Sequence, residues 1–176
     1  MQLVQTTRDA LLKPLSTVAG IVERRNTLPI LANILLRKEG NNVAFIATDL
    51  EVQITTHAEF GVGDSNESTT VAARKLLDIL RALPEVGDVT LSQVSGKLTV
   101  QSGKSRFNLQ TLGAAEFPTL SQPEKWDVSL SLPQKTLKHL FNMVHFAMAQ
   151  QDIRYYLNGL LFVFEPGFVR AVATDG

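Results

Sequence analysis

Three histidines, His57, His139 and His145, are the readiest proton-transfer groups in the chain. His139 and His145 stand six residues apart. On one helix that spacing puts them on different faces, so they cannot serve one substrate together. Cysteine is absent, which excludes disulfides, thiolate catalysis and cysteine zinc sites. No HExxH, no GxSxG and no glycine-rich phosphate loop occurs, and the acidic residues form no metal cluster. Asp49 and Glu51 could pair as carboxylates, but neither a base nor a nucleophile accompanies them. Asp49 and Asp175 both follow an Ala-Thr dipeptide. An aspartate where a strand ends accepts backbone N–H groups, and a duplicated aspartate fits that role better than catalysis. The expectation is a protein with no catalytic residue, no metal and no cofactor.

The segment Gln150-Gln-Asp-Ile-Arg-Tyr-Tyr156 offers a different chemistry. It places amides, an arginine and two adjacent tyrosines at a helix-to-strand junction. Neighbouring strand residues point to opposite faces, so a core takes at most one of the two rings. An exposed ring beside arginine and glutamine can stack on bases or lie along a sugar–phosphate backbone. A tyrosine that buries its ring and keeps its hydroxyl wet serves as well. The residues alone leave both readings open.

These residues sit in a chain that repeats itself. Asn158-Gly-Leu-Leu lies over Asn33-Ile-Leu-Leu, Ala173-Thr-Asp175 over Ala47-Thr-Asp49, and Leu137-Lys-His-Leu140 over Leu12-Lys-Pro-Leu15, at offsets of 125, 126 and 125 residues. Three ordered matches at offsets within one residue of each other mark a domain-sized internal repeat. The second copy is legible only to its aspartate, so the chain is expected to be cut about two-fifths of the way into a second domain. The expected division is a first domain over 1–125, ending in a proline-bearing linker over 114–125, and part of a second over 126–176.

With 176 residues, 44% of them hydrophobic, the chain can bury one core and part of another. No apolar run approaches membrane-spanning length, and Met1 leads into a patterned segment rather than a leader. A cytoplasmic protein without a membrane partner is expected. Net charge is zero. Three helices are expected over Arg8–Gly20, Ala73–Leu83 and Gln134–Ala149. They hold Arg8, Lys13, Arg74, Lys75, Arg81, Lys135 and Lys138 against Asp9 and Asp78. A basic helical layer on an acidic remainder suits a surface facing polyanion. On charge alone, solvated helix faces are the simpler account.

Apolar spacing supplies the elements. Leu11, Leu15, Val18, Ala19 and Val22 make one helical stripe; Leu76, Leu77, Leu80 and Leu83 make a second; Leu137, Leu140, Phe141, Val144 and Met148 make a third. Pro14 inside the first stripe predicts a kink or a late start. Strands are expected over Gln2–Thr6, Pro29–Arg37, Val43–Thr48 and Glu51–Phe60, then Thr69–Ala72, Asp88–Val94, Lys97–Ser102 and Ser105–Leu112. Gly61–Ser68 reads as a loop. The first domain is thus strand, helix and three strands, twice over, an α+β fold.

The chain resembles the bacterial DNA polymerase III beta subunit family, the sliding clamps. The resemblance rests on TLPILANILL (27–36), ATDLE (47–51), AARKLLDILRALP (72–84), SGKSRFNLQTL (102–112), FPTL (117–120) and QDIRYYLNGLLF (151–162), with RYYLNG followed by ATDG as its most specific part. It implies a DNA-clamp fold of tandem helix-and-sheet repeats, with helices on one face and sheets on the other. Full-length chains of that family form a homodimeric ring around double-stranded DNA and tether the replicative polymerase. The implied DNA contacts are Arg25, Arg74, Gln151, Tyr155 and Tyr156, which tips the tyrosines toward DNA. Leu157, Thr174 and Gly176 match part of a pocket for short peptides. Its implied partners are the polymerase III catalytic subunit, clamp-loader subunits, and other clamp-binding polymerases and repair proteins. Lys75, Ile79, Leu83, Phe107 and Leu109 match the dimer seam, with Phe107 and Leu109 expected to be exposed on an unpaired edge strand. The competing readings are a DNA-binding module acting by charge alone, a protein-docking module and an enzyme with an unrecognised site.

Overall fold

The computed structural model describes residues 1–22, 28–120, 125 and 127–176. The chain divides into two compact units, Met1–Gln122 and Pro123–Gly176.

The first unit opens with β1 (Gln2–Thr7) and α1 (Arg8–Ala19), followed by β2 (Asn33–Glu39), β3 (Asn42–Thr48) and β4 (Gln53–Glu59). The same series then runs again as β5 (Asn66–Ala72), α2 (Ala73–Ala82), β6 (Asp88–Val94), β7 (Lys97–Ser102) and β8 (Ser105–Gln110). Each half gives its first strand to the other half. The two antiparallel sheets have the orders β1-β6-β7-β8 and β4-β3-β2-β5. Both exchanges are stitched at their outer edges. Beside β1, the N–H of Val62 donates to the Leu3 carbonyl (3.0 Å) and that of Gln5 to the Phe60 carbonyl (3.4 Å). Beside β5, the Thr70 hydroxyl donates to the Leu112 carbonyl at 2.9 Å and accepts the Leu112 N–H at 3.1 Å. Neither half can complete its sheet without the other.

The helices lie together over the inner sheet faces. Leu11, Leu15 and Val18 of α1 and Leu76, Leu77 and Leu80 of α2 share one core with Ile34, Leu36, Val43, Phe45, Val71, Leu91, Leu98 and Val100. Thr7 caps α1, its hydroxyl accepting the Ala10 N–H at 3.4 Å. The helix runs unbroken through Pro14, which is buried, so the expected late start does not occur. Opposite the main core, Leu35, Ala44 and Ile46 form a small second cluster with Phe117. The expected linker therefore begins as a strap over the outer face of a sheet.

Several boundaries differ from expectation. Pro29–Ala32 is a 3-10 turn, and β2 begins only at Asn33. Proline at the first position of that turn has no N–H to give a ladder. β4 starts at Gln53 because Asp49–Val52 is taken up by a hydrogen-bonded turn. β5 reaches back to Asn66, into the expected loop, since Glu67 and Ser68 pair with Lys38 and Arg37.

The second unit contains α3 (Gln134–Val144), β9 (Leu161–Glu165) and β10 (Phe168–Val172), the strands paired antiparallel. The third helix stops short of Ala149, and His145–Ala147 forms a 3-10 turn. Among the described residues, β9 has no second neighbour in the position β5 takes beside β2. Leu157 is the only hydrophobic residue described as buried in this unit. No helix among the described residues is long and apolar enough to cross a membrane.

Candidate nucleic-acid interface

In the second unit the tyrosines ride on a 3-10 turn, Tyr155–Asn158, rather than on a strand. The strand placement is corrected: on the turn neither ring enters a core. Tyr155 is 82% exposed and Tyr156 67% exposed. Their rings meet edge to face with centroids 5.9 Å apart. Two large, solvated, mutually braced aromatics are a stacking platform in form.

The loop that carries them is tied by its own side chains. The Asp152 carboxylate accepts the Arg154 Nε–H (3.0 Å) and Nη2–H (2.8 Å), and also the Arg154 backbone N–H (2.8 Å). The two-pronged geometry is the strong form of this pair. These hydrogen bonds, the side-chain ones first, hold the Asp152 carboxyl below its usual range, at about 2, and raise Arg154 in turn. Asn158 brackets the same residue. Its Oδ1 accepts the Asp152 N–H and its Nδ2 donates to the Asp152 carbonyl, both at 3.0 Å. Ala149 N–H to the Leu157 carbonyl, at 3.0 Å, closes the base of the loop. Gln151 is held there at φ 60°, exposed.

Arg154 also reaches the turn at Thr174–Gly176. Its Nη2 donates to the Asp175 carbonyl at 3.3 Å. A Cβ on Gly176 would stand 2.8 Å from Arg154 Nη1, so the guanidinium fills that side of the glycine. Leu157, next in the chain after the tyrosines, is buried, while Thr174 is exposed. Sequence reasoning passed over Asp152, Arg154 and Asn158 as organisers. The available signal was an Asp-x-Arg spacing that sets both side chains on one side of an extended segment.

The turn itself is written twice. Thr48 Oγ1 accepts the Leu50 N–H at 3.0 Å, and Thr174 Oγ1 accepts the Gly176 N–H at 3.1 Å. Leu50 has φ 83° and Gly176 has φ 88°. Asp49 takes the expected structural role, its Oδ1 accepting the N–H groups of Glu51 (3.0 Å) and Val52 (2.7 Å). Among the described residues no group of three or more His, Cys, Asp or Glu side chains is placed to hold a metal.

In the first unit, Arg74 and Lys75 are exposed on the first turn of α2, and Lys13 is exposed on α1. Arg8 does not join that surface. Its guanidinium donates to the Leu83 carbonyl at 3.0 Å and pairs with Asp9 and Glu85. Arg25 lies outside the described residues. Of the five candidate seam residues, Lys75 is exposed, Ile79 half-buried and Phe107 38% exposed. Leu83 and Leu109 belong to the unit's own core, only 5% and 9% exposed. Leu109 thus departs from expectation: β8 is an edge strand, but Leu109 points to its inner face, under the helices.

An α+β unit built of two strand-exchanged halves, followed by the opening elements of a second copy, defines the DNA-clamp fold. The family model described as DNA polymerase III beta subunit, N-terminal domain, matches residues 1–121, and the one described as its central domain matches residues 131–176. The chain belongs to the DNA polymerase III beta subunit family. The beta sliding clamp of Pseudomonas aeruginosa is 46% identical over 169 residues, covering 96% of this chain and 46% of that protein. The beta sliding clamp of Proteus mirabilis is 45% identical, with the same coverage of 96% and 46%. The crystal structure of the P. aeruginosa DNA polymerase III subunit beta matches with a TM-score of 0.93 at 44% identity, covering 100% of this chain and 47% of that one. Caulobacter crescentus pol III beta matches at 0.89 and 43%, covering 100% and 48%. The chain spans about half the length of the curated relatives it matches.

Proposed function

We propose that this chain is the leading part of a processivity factor, a non-catalytic DNA polymerase III subunit whose full-length homodimer encircles duplex DNA, slides on it and tethers the replicative polymerase in the cytoplasm. The match to two successive domains of one family, in order and over nearly the whole chain, carries this reading. The domain division belongs to it: a first clamp domain over 1–125 and part of a second over 126–176. The physical demands suit the residues. A clamp must hold DNA without stopping, so it needs sequence-independent contact with phosphates and sugars, from cations, amides and rings lying along the backbone, rather than base-edge recognition. Arg25, Arg74, Gln151, Tyr155 and Tyr156 are of those types. Leu157, Thr174 and Gly176 would supply one side of a docking pocket for short peptides of the polymerase catalytic subunit, the clamp loader and other clamp-binding polymerases and repair proteins. Lys75, Ile79, Leu83, Phe107 and Leu109 would form this chain's side of the dimer seam. Leu83 and Leu109 would act there by shaping the surface from beneath, because both are buried.

The full-length protein, loaded on closed circular DNA and washed at high salt, should stay bound and should leave once the circle is cut. Equal loss from circular and linear DNA would sink the ring reading. It would leave binding by charge alone, which falls steeply with salt whatever the topology.

A further inference from the structure

The tyrosine loop and the Thr174–Gly176 turn meet at one guanidinium. Arg154 is held from one side by Asp152, through two side-chain hydrogen bonds of 3.0 and 2.8 Å. From the other side it reaches the Asp175 carbonyl and covers the face of Gly176 on which a Cβ would stand. Tyr155 and Tyr156 follow Arg154 directly in the chain and share its 3-10 turn, closed by the Leu157 N–H donating to the Arg154 carbonyl at 2.9 Å. A group docking on that face of Gly176 must therefore displace the guanidinium, which is one of the ties that hold the loop.

We propose that Asp152 and Arg154 are positioning residues that hold the tyrosine platform in place for DNA, and that occupation of the Gly176 turn weakens DNA contact by drawing Arg154 away from Asp152. The proposal rests on the DNA reading of Tyr155 and Tyr156. It makes the two sites antagonists, and such coupling acts equally in both directions. The antagonism would let a clamp relax its grip on DNA locally while a partner is docked.

The test is a double-mutant cycle in the full-length protein, reading equilibrium binding of a duplex oligonucleotide. Asp152→Asn is expected to weaken binding about fivefold, at the low end of ordinary coupling between sites. The sign is the decisive readout. If Asp152 acted only through its charge, removing an anion near DNA would tighten binding. Gly176→Ala, which puts a methyl group where the guanidinium lies and also strains a backbone held at φ 88°, is expected to weaken binding by a similar factor alone and to add nothing in the Asp152→Asn background. Arg154→Lys keeps the charge but loses the two-pronged pair; it should behave like Asp152→Asn, and it keeps the test open if Gly176→Ala fails to fold. Additive effects, or tighter binding by Asp152→Asn, would overturn the coupling. Tyr155→Ala with Tyr156→Ala separates the two ideas: if that pair leaves duplex binding unchanged, the DNA reading of the loop has failed, whatever the cycle gives.

Discussion

The two units use the same opening elements and reach different degrees of burial. In the first, the apolar stripe of α1 lies under two sheets, and Leu11, Leu15 and Val18 are fully buried. In the second, the matching stripe of α3 has no fully buried member. Leu137, Leu140 and Val144 are half-buried, and Phe141 is 40% exposed. The difference does not lie in the helices, whose stripes are equally apolar. It lies in strand exchange. In the first unit β5 comes from the other half to flank β2, and β1 leaves to flank β6. Helix and hairpin alone, as β9 and β10 stand with α3, cover one side of the stripe. The lesson is that the unit of stability in this fold is the pair of halves.

That claim can be broken most directly at one pair of residues. Leu15 and Leu140 occupy the same position of the repeat. Leu15 is fully buried and Leu140 is half-buried. Leu15→Ala should cost about 2–5 kcal/mol in urea unfolding, by lost transfer energy and an unfilled cavity. Leu140→Ala in this chain should cost about 1 kcal/mol or less, since its surroundings are open enough to collapse or hydrate. Equal losses would show that α3 buries its stripe as well as α1 does, and the comparison would fall.

How far the sequence could show this is uneven, for physical reasons. The helix stripes and most strands were legible because their periods, 3.6 and 2, are imposed by geometry. The half-repeat was legible from element order. The exchange of β1 and β5 was not, because pairing partners leave no mark on a strand's own alternation. Leu83 and Leu109 show the same limit. A periodic apolar residue looks alike whether it faces its own core or another chain, and here both turn inward. The tyrosines were placed near the right junction but on the wrong element. Tyr-Tyr-Leu before Asn-Gly reads as a strand and its turn, whereas Asp152, Arg154 and Asn158 bind the segment into a closed loop.

A middle-sized test uses the duplicated turn. Asp49 accepts two backbone N–H groups, those of the residues two and three places on. Asp49→Ala should therefore cost about 1–2 kcal/mol, the penalty for stranding those donors at a half-buried position. A cost under about 0.5 kcal/mol, as for an ordinary surface change, would mean that the two N–H groups find water instead and that the aspartate does not hold the turn.

The smallest effect concerns the residue that follows. Leu50 and Gly176 hold the same left-handed conformation, with φ values of 83° and 88°, and each gives its N–H to the threonine two residues earlier. Glycine adopts that region without strain, while a leucine there pays about 1–3 kcal/mol. Leu50 is 46% exposed, so its side chain returns little of this through burial. Leu50→Gly should then stabilise the first unit by about 0.5–1 kcal/mol, once the extra entropy of an unfolded glycine is set against the relieved strain. The reverse exchange, Gly176→Leu, cannot gain the same way, because Arg154 already occupies the space a side chain would enter. A rise in the urea midpoint for Leu50→Gly would show that the first unit tolerates a strained turn because its core can carry the cost. A fall would mean that the exposed leucine is held by contacts worth more than the strain, and the two turns would share a shape without sharing its energetics.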